Sequence, residues 1–283
     1  MSRRNESRVN PVNDAPTPPN EVMDKDPSSM LSFVMPTEIV ELPSGGLLYR
    51  EGHPLCGKQS VEIKYMTAKE EDILTSKSLI TKGIVLDRLI SSIMLDDVSP
   101  DDLLVGDRNA ILVAARVTGY GSDYEVSVGC SHCTANFSET FDLSALDSVQ
   151  EPNLEENDVE LRDGLYYMQL PMSKVTVGLR PLFGKDEKIQ AAAEKKKKKY
   201  NLPDSSLTDM LKSIIVSANG SDDKTLIAKF IDMMPAQDSR ILRSTYTKII
   251  PDVDMSQVVT CPECGTGSVV EVPFTGEFFW PSK

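Results

Sequence analysis

The chain has 283 residues, 40% of them hydrophobic, which is enough to bury a core and excludes disorder throughout. Forty-three acidic against 30 basic residues leave a net charge of −13, a balance that argues against a surface built to track nucleic-acid phosphates. No apolar run approaches the roughly 20 residues that span a bilayer, so no membrane partner is expected. In chain order, residues 1–30 are rich in Pro, Asn, Ser and Asp and read as a disordered tail. Arg3, Arg4 and Arg8 stand there without the apolar stretch that a secretory signal needs.

Around Pro43-Ser44-Gly45-Gly46 the pattern TEIVELPSGGLLY alternates apolar and polar residues, a hairpin signal. VEIKYM (61–66) is a second short strand. Thr67 with Glu70 three residues on has the spacing of a capping box, so a helix should begin there. Leu86, Leu89, Ile90 and Ile93 fall at helical spacing within Val85 to Leu95. A third helix opens at Gly106-Asp107 and runs through Arg116, and Tyr124 to Gly129 alternates like a strand.

The second half repeats this order. VEIKYMTAKEEDI (61–73) lies ungapped over VGLRPLFGKDEKI (177–189) at a constant spacing of 116. LDRLISSI (86–93) resembles TDMLKSII (208–215) at 122, and Asp107 with Asp238, Ile111 with Leu242, Cys130 with Cys261 and Cys133 with Cys264 stand 131 apart. Ordered, ungapped blocks point to an internal duplication, with part of the extra length falling near the five lysines at 195–199. Asp107 and Asp238 then open equivalent helices, each placed as an N-cap.

Gly129-Cys130-Ser131-His132-Cys133 and Thr260-Cys261-Pro262-Glu263-Cys264-Gly265 carry the strongest chemical signal. Two thiolates two residues apart, in a turn between strands, can bind one metal from the same side. Four complete the closed tetrahedral shell of a structural zinc. The 127 residues between the knuckles exceed the span of a compact zinc ribbon, and a duplicated fold resolves this by bringing two equivalent hairpins together. Cysteines confined to Cys-x-x-Cys pairs, with Cys56 left over as an unpaired thiol, fit a reducing compartment.

Other motifs carry less. Gly52-His53-Pro54-Leu55-Cys56-Gly57-Lys58 fits seven positions of a phosphate-binding loop, but Gln59 follows where Ser or Thr is needed, and a strand follows where a helix is needed. With His53 and His132 the only histidines, no Ser–His–acid triad is supported, and no enzyme is expected. The lysines at 195–199 read as the solvated end of a helix, whose dipole they suit. Phe278-Phe279-Trp280 are too apolar to stay in water and should dock, either on the chain's own core or on a partner.

LPSGGLLY, MTAKEEDIL, LLVGDRNAIL, YEVSVGCSHC and the terminal EFFWP together resemble the T-even-type phage baseplate hub assembly chaperone family over residues 36–283. The resemblance implies a non-enzymatic assembly factor for the hub of a contractile-tail baseplate. Its partners would be baseplate or tail hub proteins, with no small-molecule substrate. It would work in the cytoplasm of the infected host, with the finished virion baseplate as the alternative location. The zinc rests on the cysteine spacing and not on the resemblance. The expected fold is α+β: a tail (1–30), a first repeat with the first knuckle (31–150) and a second repeat with the second knuckle (151–283). The two lobes are joined by a split zinc ribbon held by Cys130, Cys133, Cys261 and Cys264. The competing class is a zinc-ribbon nucleic-acid-binding or transcription accessory protein, which a basic face around the knuckles would favour.

Overall fold

The computed structural model describes residues 35–146, 152–201, 203, 205–272 and 278–279. The expected tail over 1–30 and Trp280 lie outside them. Helices and small antiparallel sheets are mixed along the chain, as the α+β expectation required.

Strand β1 (Thr37–Glu41) pairs antiparallel with β2 (Ser60–Lys64), Val40 opposite Val61. The hairpin is therefore wider than the alternation suggested. Residues 47–49 are not its return strand, because the loop between β1 and β2 is drawn onto a later helix by hydrogen bonds described below. Gly46 makes the loop possible. It has φ of +73°, and a Cβ there would sit 2.5 Å from the Lys58 backbone.

Helix α1 (Ala68–Thr75) starts as its sequence prescribes. The Lys69 amide donates to Thr67 Oγ1 at 3.3 Å, and the Thr67 amide donates to Glu70 Oε2 at 2.9 Å. Glu70 is fully buried and also accepts from Lys64 Nζ and Ser92 Oγ. Burial pushes its carboxyl up, but the bonds from Ser92, Thr67 and Lys64 outweigh it and hold the pKa down to about 2. Helices α2 (Lys77–Lys82) and α3 (Val85–Ile93) follow. After a 3-10 turn at Pro100–Asp102 comes α4 (Val105–Tyr120). Strands β3 (Asp123–Gly129) and β4 (Asn136–Asp142) form the first cysteine hairpin.

A four-stranded antiparallel sheet comes next, in the order β5 (Glu160–Arg162), β6 (Leu165–Gln169), β7 (Thr176–Leu179) and β8 (Ile215–Ala218). Helices α5 (Gly184–Lys199) and α6 (Ser206–Ile214) lie between β7 and β8. Helices α7 (Lys224–Met233) and α8 (Ala236–Ile249) lead to β9 (Ser256–Thr260) and β10 (Gly267–Glu271), the second cysteine hairpin. The last turn of α5 carries the lysines, mostly exposed, with Lys197 paired to Asp209.

The elements before the two knuckles run in step. Strands β2 and β7 begin at 60 and 176, and α1 and α5 at 68 and 184, a spacing of 116 in both cases. Helices α3 and α6 are both nine residues long and start at 85 and 206. Their spacing is thus 121, one residue less than the sequence blocks gave. At that spacing Ile90, Ile93 and Met94 match Leu211, Ile214 and Ile215, all buried. Helices α4 and α8 start 131 apart, at 105 and 236, and so do β4 and β10, at 136 and 267. Five of the extra residues enter near the lysine end of α5 and ten enter with α7.

Two clusters of buried side chains form the core. One gathers residues from β1 to the turn after β4 and also takes in Met255, Val259, Val272, Phe278 and Phe279. The other spans Val159 to Ile249. Backbone bonds join the segments where α4 and α5 start. Val105 N donates to Leu182 O at 3.0 Å, and Gly184 N donates to Leu103 O at 2.9 Å. Beside them Arg108 pairs with Asp87 at 2.9 Å and with Glu187, while Lys188 pairs with Asp87 at 3.0 Å and with Asp101.

Candidate metal centre

Each cysteine pair sits in a tight turn closed by its own backbone. Cys130 N donates to Ala135 O at 2.8 Å and Thr134 N to Cys130 O at 3.1 Å. In the second hairpin, Cys261 N donates to Thr266 O at 3.0 Å and Gly265 N to Cys261 O at 2.9 Å. Thr134 and Gly265 occupy the same turn position, and both have positive φ, +60° and +69°. Glycine adopts that conformation freely, whereas threonine holds it only because the hairpin around it is fixed.

The turns bring all four sulfurs together. They lie within 4.8 Å of one another, and no other His, Cys, Asp or Glu among the described residues joins them. Cys130 Sγ stands 3.7 Å from Cys264 Sγ, and Cys133 Sγ stands 3.7 Å from Cys261 Sγ. A disulfide would need about 2.05 Å, and all four thiols are free. A tetrahedral shell with metal–sulfur bonds of about 2.3 Å has edges of roughly 3.8 Å. The close pairs run between hairpins, so an ion there would tie β3–β4 to β9–β10. Cys130 and Cys261 are buried and Cys133 and Cys264 exposed, so each hairpin gives one inner and one outer sulfur.

Local hydrogen bonding divides the thiols. The amides of Cys133 and His132 pull Cys130 below its ordinary pKa, the second of them at 3.4 Å from sulfur. The Thr266 hydroxyl, 3.3 Å from Cys264 Sγ, and the Thr266 amide bring Cys264 down to about 6. Cys133 goes the other way. The Ala135 amide lowers it, but desolvation and the three neighbouring sulfurs push it up to about 12. Four sulfurs this close cannot all shed their protons without a cation to offset the charge. The donor set and spacing are compatible with one metal ion in a closed four-sulfur shell.

The other sequence candidates fall elsewhere. His132 is exposed and stands outside the sulfur cluster. Lys58 pairs with Asp96 at 2.7 Å, and the chain runs on from it into β2, not into a helix. Asp107 and Asp238 are third residues of their helices, not N-caps, which are Leu104 and Pro235. Asp107 accepts from Ser44 N at 2.9 Å, Ser44 Oγ at 2.6 Å and Tyr49 Oη at 2.7 Å. Asp238 accepts from the Met172 and Ser173 amides, both at 2.8 Å. Phe278 and Phe279 dock on the chain's own core. Phe278 meets Tyr124 edge-on at 5.3 Å, and its carbonyl accepts from Arg116 Nε at 2.8 Å. Arg116 was not singled out in the sequence. Its partners, the carbonyls of Gly121, Asp123 and Phe278, are backbone atoms that leave no mark on composition or spacing.

No helix among the described residues is long and apolar enough to cross a membrane. No curated protein and no solved structure matches the chain. A family model described as T4 bacteriophage base plate protein matches residues 35–280, a span that takes in both cysteine hairpins and the elements before them. The chain belongs to the T4 bacteriophage base plate protein family.

Proposed function

We propose that this chain is a non-enzymatic assembly factor, chaperone or structural component, for the baseplate hub of a contractile-tailed phage. In this reading Cys130, Cys133, Cys261 and Cys264 hold one structural zinc. The family match over residues 35–280 supports a place in the baseplate. Zinc is the metal of choice because it suits four thiolates, has no redox chemistry of its own and needs no open coordination position. Binding other phage structural proteins is what a baseplate component does, and the hub is the finer assignment taken from the sequence blocks. The work would be done in the infected cell, with the virion baseplate as the alternative place.

The repeats expected over 31–150 and 151–283 fit this role. They give two similar halves whose hairpins are clamped by one ion, a rigid two-sided platform suited to holding neighbouring subunits. The matching order of the elements, with the spacing of 131 shared by α4 and α8, β4 and β10 and the two knuckles, supports the duplication. The competing nucleic-acid reading finds no cations where it needs them. Residues 123–142 and 256–271 contain no Lys or Arg and six acidic residues, so the hairpins repel phosphate.

Elemental analysis of protein purified without added metal should find about one zinc per chain. Co-purification from infected cells should bring down hub subunits in stoichiometric amount. A chain that holds no metal would remove the clamp. Recovery with phage DNA in place of hub proteins would favour the zinc-ribbon accessory class.

A further inference from the structure

The two segments differ at one sheet edge. At a spacing of 128, β1 at 37–41 matches β6 at 165–169. Leu42 N donates to Gln59 O, and in the second segment Leu170 N donates to Val175 O, the same bond beyond the same strand. Val40 and Leu42 are buried, as are Met168 and Leu170. The outer edge of β6 is covered by β5, with Arg162 opposite Leu165 and Glu160 opposite Tyr167. Val159, just before β5, is buried in the second core, and Leu154 packs against it.

The outer edge of β1 has no such strand among the described residues. Antiparallel alternation turns the amides and carbonyls of Thr37, Ile39 and Glu41 away from β2, since Leu42 and Pro36 bond toward it. Ile39 is 70% exposed. Beside this edge runs a groove of about 750 Å³ whose floor includes Val113, Val117, Leu143 and Leu146. Glu38 and Glu41 stand at its rim, and among the described residues no basic side chain lines it.

The turn that supplies β5 cannot be copied here. Asp163 and Gly164 join β5 to β6 with φ of +52° and +74°, the two-residue turn of a tight hairpin. Pro36 stands at the position of Gly164, and its ring fixes φ near −65°. An edge that no described strand covers, with an apolar groove beside it, is a template for an added strand.

We propose that the open edge of β1 docks an extended segment of a partner polypeptide. The segment adds as an antiparallel strand, drops apolar side chains into the groove and sets basic residues against Glu38 and Glu41. This rests on the correspondence between segments used above, and it specifies the contact by which an assembly factor would hold its subunit.

The test uses the full-length chain and a blocked, fluorescein-labelled nonapeptide, KVTVTVTVK, with EVTVTVTVE as its charge-reversed control. The lysine peptide should bind more tightly and slow exchange of the Ile39 and Glu41 amides at least tenfold, leaving Tyr167 unchanged. Ile39→Pro removes an outward amide at an edge where proline is tolerated and should weaken binding at least tenfold. Glu41→Lys should reverse the preference between the peptides without that backbone change. Equal binding by Ile39→Pro, no binding, or protection elsewhere would overturn the proposal. So would slow exchange in the free chain that is lost on deleting residues 1–34, which would make the chain's own N-terminal segment the occupant. Protection that grows with protein concentration would assign the edge to a second copy, again overturning it. Zinc content is read separately, so failure here leaves the metal clamp standing.

Discussion

Helices α4 and α8 each carry a buried aspartate at their third residue, and the two acids do one mechanical job with different chemistry. Asp107 ties down the β1–β2 loop through two hydroxyls and one amide. Asp238 ties down the β6–β7 loop through two amides. Burial dominates at Asp107 and raises its pKa, with the Ser44 and Tyr49 bonds pulling against it. At Asp238 burial also pushes upward, but the amides of Met172 and Ser173 prevail and lower the pKa. The shared position serves loop anchoring. The charge state is set by the balance between burial and bonding and not by the number of donors, since Asp107 has three and Asp238 two. The hairpins that follow show the same divergence: Ser127 faces Ser138 in the first, while Val258 faces Val269 in the second, 77% and 70% exposed.

The largest effect should come from breaking what the two halves share. Cys261→Ser removes a buried sulfur from the cross-hairpin cluster, the seat of the proposed zinc. It should cost the chain its zinc equivalent and lower the melting temperature by more than about 5 °C, because metal binding energy is folding energy. Calorimetry with parallel zinc analysis checks this. An unchanged melting curve would mean the hairpins stay together without the ion.

Next comes the aspartate pair. Asp238→Asn and Asp107→Asn should each cost about 1–2 kcal/mol at neutral pH, because each acid accepts through both of its oxygens and asparagine offers only one. The pH dependences should have opposite slopes. Asp238 has a folded pKa below its ordinary value, so its contribution is complete above that value and is lost as pH falls through the folded pKa. Asp107 has a raised pKa, so the folded state gains stability as pH falls, and the cost of Asp107→Asn grows in acid. Denaturant titrations of both variants between pH 3 and 7 measure the two slopes, and parallel slopes would erase the distinction.

Glu70→Gln should cost about 1–2 kcal/mol at pH 7. With the folded pKa near 2, the loss should be full above the ordinary carboxylate value and fade as pH falls toward 2. A cost that persists at pH 2.5 would mean that Glu70 acts through packing and not through its charge. The smallest effect belongs to the exposed valines. Val258→Ser with Val269→Ser copies the first hairpin and should shift stability by less than about 0.5 kcal/mol. A larger loss in the isolated chain would show that the valine pair stabilises the second hairpin by more than cross-strand contact.

The local elements were legible because their causes are local. The capping box at Thr67 and Glu70, the apolar period of α3 and the alternation of β2 and β3 act within one turn or one strand. So does the Cys-x-x-Cys turn, and the common spacing of 131 put the two turns at equal distances after the starts of α4 and α8. What the sequence could not fix was which distant group each local feature would meet. Ser44 and Tyr49 look like hairpin residues until Asp107, 63 and 58 positions away, draws their loop onto α4. Asp107 and Asp238 look like N-caps, yet their bonds leave the helix altogether. Phe278 was bound to dock because water rejects it, but the hydrophobic effect is non-directional, and its place beside the ring of Tyr124 and the guanidinium of Arg116 emerges only in the folded chain. The sulfur cluster joins both kinds of cause: the spacing within each turn is written in four residues, and the 3.7 Å between turns exists only once the rest of the chain has folded.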